Sequence, residues 1–327
     1  MCNTPGHHPQ PLAAPFRPAD FDAFWRETLD RLARIPYAIR ADTPPDITSH
    51  LRLTTLQFQS WGGVQIQAYL LQQPNPEPRP LVVYTHGYNG QYEIVRHWAE
   101  RGLDVFGFDT RGFGRSRNAV PERHPDGWIL TGIEAPAHSI LRGAICDYHR
   151  AVDVARQLLP RPPRHTLFYG FSFGGAMALV GAALRRDADM VVAGVPSLGW
   201  MAGRRRLVKA GSGKEVNDYL TRHPHLEQTV MQTLAYFDTA NFAAQIRAPC
   251  LLGLGQRDIV VPAATVRAIS ERLRCAKILR EFPVSHSQLA EERLWQDFEA
   301  EWLGRALTGD WPVTTGPIDS PGPDTAE

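Results

Sequence analysis

Nowhere in the 327 residues is there an unbroken apolar run approaching the roughly 18 residues a membrane-crossing helix needs. The opening residues, MCNTPGHHPQPLAAPF, carry neither a basic n-region nor an apolar core, so no secretory leader is expected and the chain reads as cytoplasmic. Charge of one sign is also missing: 35 Lys plus Arg against 34 Asp plus Glu leave a formal +1, which gives no field to draw nucleic acid or an anionic membrane. The one local basic cluster, Arg204-Arg205-Arg206, reads as a solvated helix face. Cysteine is scarce. Cys2, Cys146, Cys250 and Cys275 show neither CxxC nor zinc-ligand spacing and are expected to be reduced, mostly buried thiols. HExxH, Walker and GxGxxG patterns do not occur, so neither a metal nor a nucleotide cofactor is expected. No internal repeat is found.

What is present is an ordinary globular composition, 43% hydrophobic and 21% charged, in an ordered succession of patterns. Residues 1–18 read as a flexible arm. Residues 19–35 place Phe21, Phe24, Trp25, Leu29 and Leu32 at helical spacing. Residues 51–58 and 64–71 alternate apolar and polar around Trp61-Gly62-Gly63, which predicts an antiparallel hairpin. Strand and helix patterns then alternate: strands at 81–87, 103–109, 165–170 and 190–196, helices at 137–159 and 174–184. Residues 197–245 are helical in character and read as a lid-like insertion over one end of the sheet. Strands at 249–255 and 276–282 and a helix at 289–307 follow. The tail from Thr308 to Glu327, rich in Pro, Gly, Ser, Thr and Asp, reads as disordered. An antiparallel start followed by βαβ alternation predicts an α/β fold: one domain, 19–307, with a mostly parallel central sheet and helices on both faces. In such sheets the site lies beyond the carboxyl ends of the strands.

Gly170-Phe171-Ser172-Phe173-Gly174 fits G-x-S-x-G, with an apolar strand before it and an apolar helix after it. That context is a nucleophile elbow: the turn is too tight for side chains at its flanks, and the serine sits at a helix N-terminus. A serine hydroxyl needs a base. In this fold the chain order is serine, acid, histidine. Asp258 follows the strand CLLGLG and His286 follows the strand AKILREF, so Ser172, Asp258 and His286 are the expected triad. His138, His149, His223 and His225 do not follow a late strand. The oxyanion donors are expected to be the backbone N–H of Phe173 and, from the loop Thr85-His86-Gly87-Tyr88-Asn89-Gly90, that of Tyr88. His86 reads as a structural histidine holding this loop, and Arg111 of DTRGFGRS as a tie between loops. Phe113 and Trp200, with Tyr88 and Phe173, are candidates to line the substrate pocket.

With these residues in place, the chain resembles the acetyl xylan esterase and cephalosporin C deacetylase family, carbohydrate esterase family seven of the α/β-hydrolases. The similarity runs over about residues 19–307. It is carried by FDAFWRETLDRLARIP, HGYNG (86–90), GWILTGIE, TLAYFDTANFA (233–243) and RDIVVPAATV. The resemblance implies an α/β-hydrolase fold and a cofactor-free serine esterase removing acetyl groups from small acetylated sugars and cephalosporin C. It also implies an intracellular enzyme, often hexameric, with Ser172, Asp258 and His286 as triad and Tyr88 and Phe173 as oxyanion donors. Three positions depart from the pattern. The family has Arg-Gly-Gln where this chain has Arg111-Gly112-Phe113, Gln after the nucleophile where it has Phe173, and His-Glu where it has His286-Ser287. All three replacements make the surroundings less polar, which suggests more apolar esters.

Two other readings compete with a small-ester deacetylase. One is a general short-chain carboxylesterase or a peptidase-like hydrolase of the same fold. The other is a non-catalytic binding module, which the complete triad argues against.

Overall fold

The structure, a computed structural model, describes residues 16–42, 46–48, 50–286 and 292–311. Most of the expected arm, the tail from residue 312, Cys2, Ser287 and the start expected for the last helix lie outside the described residues.

The chain opens with α1 (Phe21–Ala33), which buries Phe21, Trp25, Thr28 and Leu32 along one face. Two short strands, β1 (Arg40–Ala41) and β2 (Asp46–Thr48), pair with the next element. The hairpin is β3 (Leu51–Gln59) and β4 (Gln65–Gln72), with Phe58 opposite Ile66 and Leu53 opposite Leu71. It turns at Trp61–Gly63, where Gly62 takes φ 73°. Alternation follows: β5 (Leu81–Thr85), α2 (Arg96–Glu100), β6 (Asp104–Phe108), α3 (Ile140–Leu158), β7 (Thr166–Phe171), α4 (Phe173–Arg185) and β8 (Met190–Gly194). Residues 197–245 hold four α-helices, α5 (Met201–Leu207), α6 (Gly211–Arg222), α7 (Glu227–Ala235) and α8 (Thr239–Phe242). The chain closes with β9 (Cys250–Gly255), α9 (Ala263–Arg272), β10 (Lys277–Phe282) and α10 (Glu292–Thr308).

Among the described residues the strands form one sheet in the order β1-β3-β4-β6-β5-β7-β8-β9-β10, with β2 also on β3. From β6 to β10 every pairing is parallel; β4 joins β6 antiparallel. Side chains alternate between faces with the strand period of two. Val83 and Phe168 enter the larger core under α1, α3 and α4. Val82 and Leu167 enter the opposite core, which includes Trp98, Phe298 and Trp302 from α2 and α10.

Two of the charged groups buried by this packing are paired across elements. In α3 the Arg142 guanidinium donates to Thr28 Oγ1 at 2.8 and 3.0 Å, and Asp147 meets Arg111. The strand order reverses at β5, with β6 on one side and β7 on the other. That is a topological switch point, where the loops leaving the two strands separate and open a crevice.

Candidate active site

The crevice beyond β5 and β7 is built around a sharp turn. β7 ends at Phe171 and α4 begins at Phe173, leaving Ser172 between them at φ 56°, ψ −114°. The turn closes so tightly that a Cβ on Gly170 would lie 2.0 Å from the carbonyl carbon of Gly174. A Cβ on Gly174 would lie 2.2 Å from Thr85 O. Both glycines of G-x-S-x-G are therefore steric requirements. The strained serine is held by three backbone bonds: its N–H donates to Gly194 O at 2.8 Å, and its carbonyl accepts from Ala176 N at 3.1 Å and Ser197 N at 3.0 Å. Ser172 is 6% exposed, so little of it meets solvent.

Asp258 and His286 follow the ends of β9 and β10. Asp258 Oδ1 accepts from the N–H groups of Val260 and Val261, both at 2.8 Å, and Oδ2 is 2.7 Å from His286 Nδ1. The carboxylate side chain is wholly buried, while the imidazole is 18% exposed. The two loops are sewn together by Gln256 N to Phe282 O at 2.8 Å and Arg257 N to Val284 O at 3.0 Å. The His286 ring packs on Phe171, the residue before Ser172, at 5.8 Å between centroids. An acid–imidazole pair is thus held beside the turn that carries the serine.

On the other side of Ser172 runs the loop after β5. A Cβ on Gly87 would lie 3.9 Å from the Ser172 Cβ, so the backbone of this loop passes directly alongside the serine. His86 is buried and its ring is committed to the loop: Nδ1 donates to Gly87 O at 2.7 Å and Nε2 accepts from Thr110 N at 3.2 Å. That pattern needs the neutral ring, and burial also pushes the His86 pKa down. The loop-holding role expected for His86 matches these contacts.

The DTRGFGRS segment is likewise structural. Asp109 accepts from Tyr92 N at 2.5 Å and Arg115 N at 2.6 Å. Arg111 makes a buried bidentate pair with Asp147, at 2.8 and 2.7 Å, and donates to Trp61 O at 3.0 Å.

Four aromatic rings, those of Tyr88, Phe113, Trp128 and Phe173, pack together beside this loop. Phe113 stands 5.4 Å from Tyr88, 4.7 Å from Trp128 and 6.4 Å from Phe173 between centroids. Trp128 stands 5.5 Å from Phe173 and donates its indole N–H to Arg111 O at 2.9 Å. Trp200, after β8, is buried and takes φ 50°, with its N–H donating to Asp238 Oδ1 at 2.7 Å.

One expectation is overturned. Arg204 does not lie on a solvated face: it is 3% exposed, its Nη2 donates to Ser212 Oγ at 2.7 Å, and burial lowers its pKa to about 10. On α5 it falls on the same inward side as Met201, while Arg206 faces water. A residue missed by the sequence reading is Glu215 on α6, whose Oε2 accepts the Tyr88 hydroxyl proton at 2.6 Å. No local pattern marks it, because its partner is 127 residues away.

Among the described residues no group of three or more His, Cys, Asp or Glu side chains is gathered as a metal would require, and no helix is long and apolar enough to cross a membrane.

Comparison with known proteins agrees with this architecture. The chain is 23% identical over 267 residues to an acetyl esterase, Axe7A, of Xylanibacter ruminicola, covering 76% of this chain and 58% of that protein. It therefore spans little more than half the length of that relative. It is 24% identical over 278 residues to a monoacylglycerol lipase of Mycolicibacterium smegmatis, covering 75% of this chain and 95% of the lipase. Two solved acetyl xylan esterases share its fold. The one from Thermoanaerobacterium gives a TM-score of 0.81 at 22% identity, covering 90% of this chain and 96% of its own. The one from Paenibacillus gives 0.78 at 24%, covering 88% and 96%. The family model described as acetyl xylan esterase (AXE1) matches residues 13–304, nearly the whole chain. With its α/β-hydrolase fold, the chain belongs to the acetyl xylan esterase family.

Proposed function

We propose that this chain is a serine esterase that removes acetyl groups from small acetylated sugars or related acetyl esters through an acyl-enzyme intermediate. The observation that carries the reading is the convergence of three loops. Ser172 stands on a strained elbow, the His286–Asp258 pair at 2.7 Å comes from β10 and β9, and the backbone of 86–88 runs alongside the serine.

In this mechanism Ser172 Oγ attacks the ester carbonyl carbon while His286 Nε2 takes its proton. Asp258, which meets Nδ1, fixes the tautomer and stabilises the imidazolium that forms. The N–H groups of Tyr88 and Phe173 receive the oxyanion. Phe173 is the first residue of α4, so the helix dipole adds to its pull. Collapse breaks the bond to the alcohol oxygen, which leaves with the proton from His286. Water, deprotonated by the same imidazole, then attacks the acetyl-enzyme and releases acetate and free Ser172. The roles use only side chains and amides of this chain.

Phe113 and Trp200 are proposed to line the pocket: Phe113 packs against both residues that supply oxyanion amides, and Trp200 lies beyond β8. The apolar ring cluster favours a second reading, a short-chain carboxylesterase acting on more apolar alcohols. Hydrolysis of p-nitrophenyl esters from acetate to octanoate, beside acetylated xylose and cephalosporin C, separates the two. Dominance of acetate and acetylated xylose, lost in Ser172→Ala, supports the deacetylase. Preference for butyrate or longer esters moves the substrate class to the second reading.

A further inference from the structure

We propose that Glu215 is a positioning residue for this hydrolysis: from α6 it grips the Tyr88 hydroxyl and so fixes the loop whose amide at residue 88 receives the oxyanion. The inference rests on the acyl-enzyme reading above and makes α6 part of what holds the oxyanion loop.

The direction of the contact is set by hydrogen-bond arithmetic. The Tyr88 hydroxyl accepts from Ile129 N–H at 3.0 Å. Its single proton then points to Glu215 Oε2, 2.6 Å away, a short and charge-assisted bond. The ring between hydroxyl and backbone is wedged among Phe113, Trp128 and Phe173, at 5.4, 5.9 and 6.2 Å. A rigid ring clamped at its tip and along its faces fixes its own Cα, and with it the direction of the residue-88 amide. The loop needs such an anchor. It makes a tight turn, with Gly90 N donating to Gly87 O at 3.0 Å and Asn89 at φ 60°. His86 secures its entry side.

Glu215 is itself held in place. The backbone at Gly127 comes so close that a Cβ there would lie 2.2 Å from Glu215 Oε2. Behind it the buried Arg204 has Nη2 on Ser212 Oγ and an Nη1 with no hydrogen-bond partner among the described residues. Burial pushes the Glu215 carboxyl up, and the Tyr88 hydroxyl and the Arg204 charge oppose that push. A half-buried carboxylate kept against a buried cation is weak evidence of stability. Aimed at the Tyr88 side chain, which leaves the oxyanion loop toward α6, it acts as a clamp.

The test is steady-state kinetics on p-nitrophenyl acetate, with inhibition by phenylboronic acid, for wild type, Glu215→Gln, Glu215→Ala, Tyr88→Phe and the double variant Tyr88→Phe/Glu215→Ala. The boronic acid adds to Ser172 Oγ and forms a tetrahedral anion that needs the same amides. Expected is a kcat loss of about tenfold or more in Tyr88→Phe and Glu215→Ala. KM should change less than twofold, and boronate Ki should rise in parallel with the kcat loss. The double variant is expected to be no worse than either single change, and Glu215→Gln, nearly isosteric and still able to accept the phenolic proton, to recover most of the rate. Unchanged kcat and Ki with a lowered Tm would make Glu215 merely structural and overturn the proposal. Additive losses, or a rise in KM alone, would also overturn it. Retained turnover in Ser172→Ala is a separate failure, that of the acyl-enzyme reading itself.

Discussion

The rings of Phe113 and Phe173 meet edge to face at 6.4 Å between centroids, and both pack on Trp128. These are two of the three positions at which the chain departs from the pattern it resembles, each with Phe where the family has Gln. Far apart in sequence, they are one change in space. Two facing amides can satisfy each other, whereas one amide facing a ring is left unpaired in a buried site.

The expected outcome of restoring them follows from that pairing. Phe113→Gln and Phe173→Gln should each destabilise by about 3 kcal/mol, from lost ring packing and an unsatisfied amide. The double variant should be less destabilised than their sum by about 1–2 kcal/mol. Urea unfolding of the four proteins measures the coupling. The ratio of kcat/KM for acetylated xylose to that for p-nitrophenyl butyrate should rise in the double variant.

Much of this site is legible in the sequence because its parts are local. The two glycines flanking Ser172 are dictated by contacts of 2.0 and 2.2 Å within one turn and its neighbouring strand. Asp258 follows the apolar, fully buried run CLLGLG, and His286 follows the strand KILREF, whose mixed polarity suits the edge of the sheet. What escapes is what tertiary packing decides. Arg204, Arg205 and Arg206 are chemically identical in the sequence, and only the way α5 is seated buries the first and exposes the last. Glu215 sits in a helix of mixed polarity whose partner lies 127 residues away. The short α2 carries no pattern in the sequence, because five residues are too few to show a helical period.

Arg111 and Asp147 form a bidentate pair whose side chains are 6% and 0% exposed. Removing one partner strands the other charge. Arg111→Met should therefore cost about 3–5 kcal/mol, and Arg111→Met/Asp147→Leu should regain most of it, because the buried carboxylate goes with its cation. Thermal unfolding of both variants checks this. A double variant no more stable than Arg111→Met would show that the bond to Trp61 O, not the ion pair, carries the effect.

Ser172 has a second testable property besides nucleophilicity. Its φ of 56° with ψ −114° is a conformation that costs a residue bearing a Cβ on the order of 1–3 kcal/mol and glycine far less. Ser172→Ala and Ser172→Gly should both lose turnover by about 10⁴-fold or more. Ser172→Gly should nevertheless unfold at higher denaturant than Ser172→Ala, by about 1 kcal/mol. Equal midpoints would mean that the elbow stores no strain at this residue.

Asp238 gives the fold a defined pH response. Its carboxylate accepts from Trp200 N and Met201 N at 2.7 Å and from Ala240 N at 3.0 Å, joining α8 to the start of α5. Burial outweighs these bonds and raises its pKa to about 6 from the ordinary 3.8. Because the folded pKa lies above the unfolded one, the protonated form is favoured by folding. Its stabilising contribution is complete below about pH 4, falls as pH rises toward 6, and is constant above that. Asp238→Asn removes this titration. The stability of wild type minus that of Asp238→Asn should therefore decline by on the order of 2 kcal/mol between pH 4 and pH 6.5, and then level. Urea unfolding of both proteins across that range measures it. A difference that rises with pH would mean that the three N–H donors outweigh burial, leaving Asp238 an ordinary low-pKa cap.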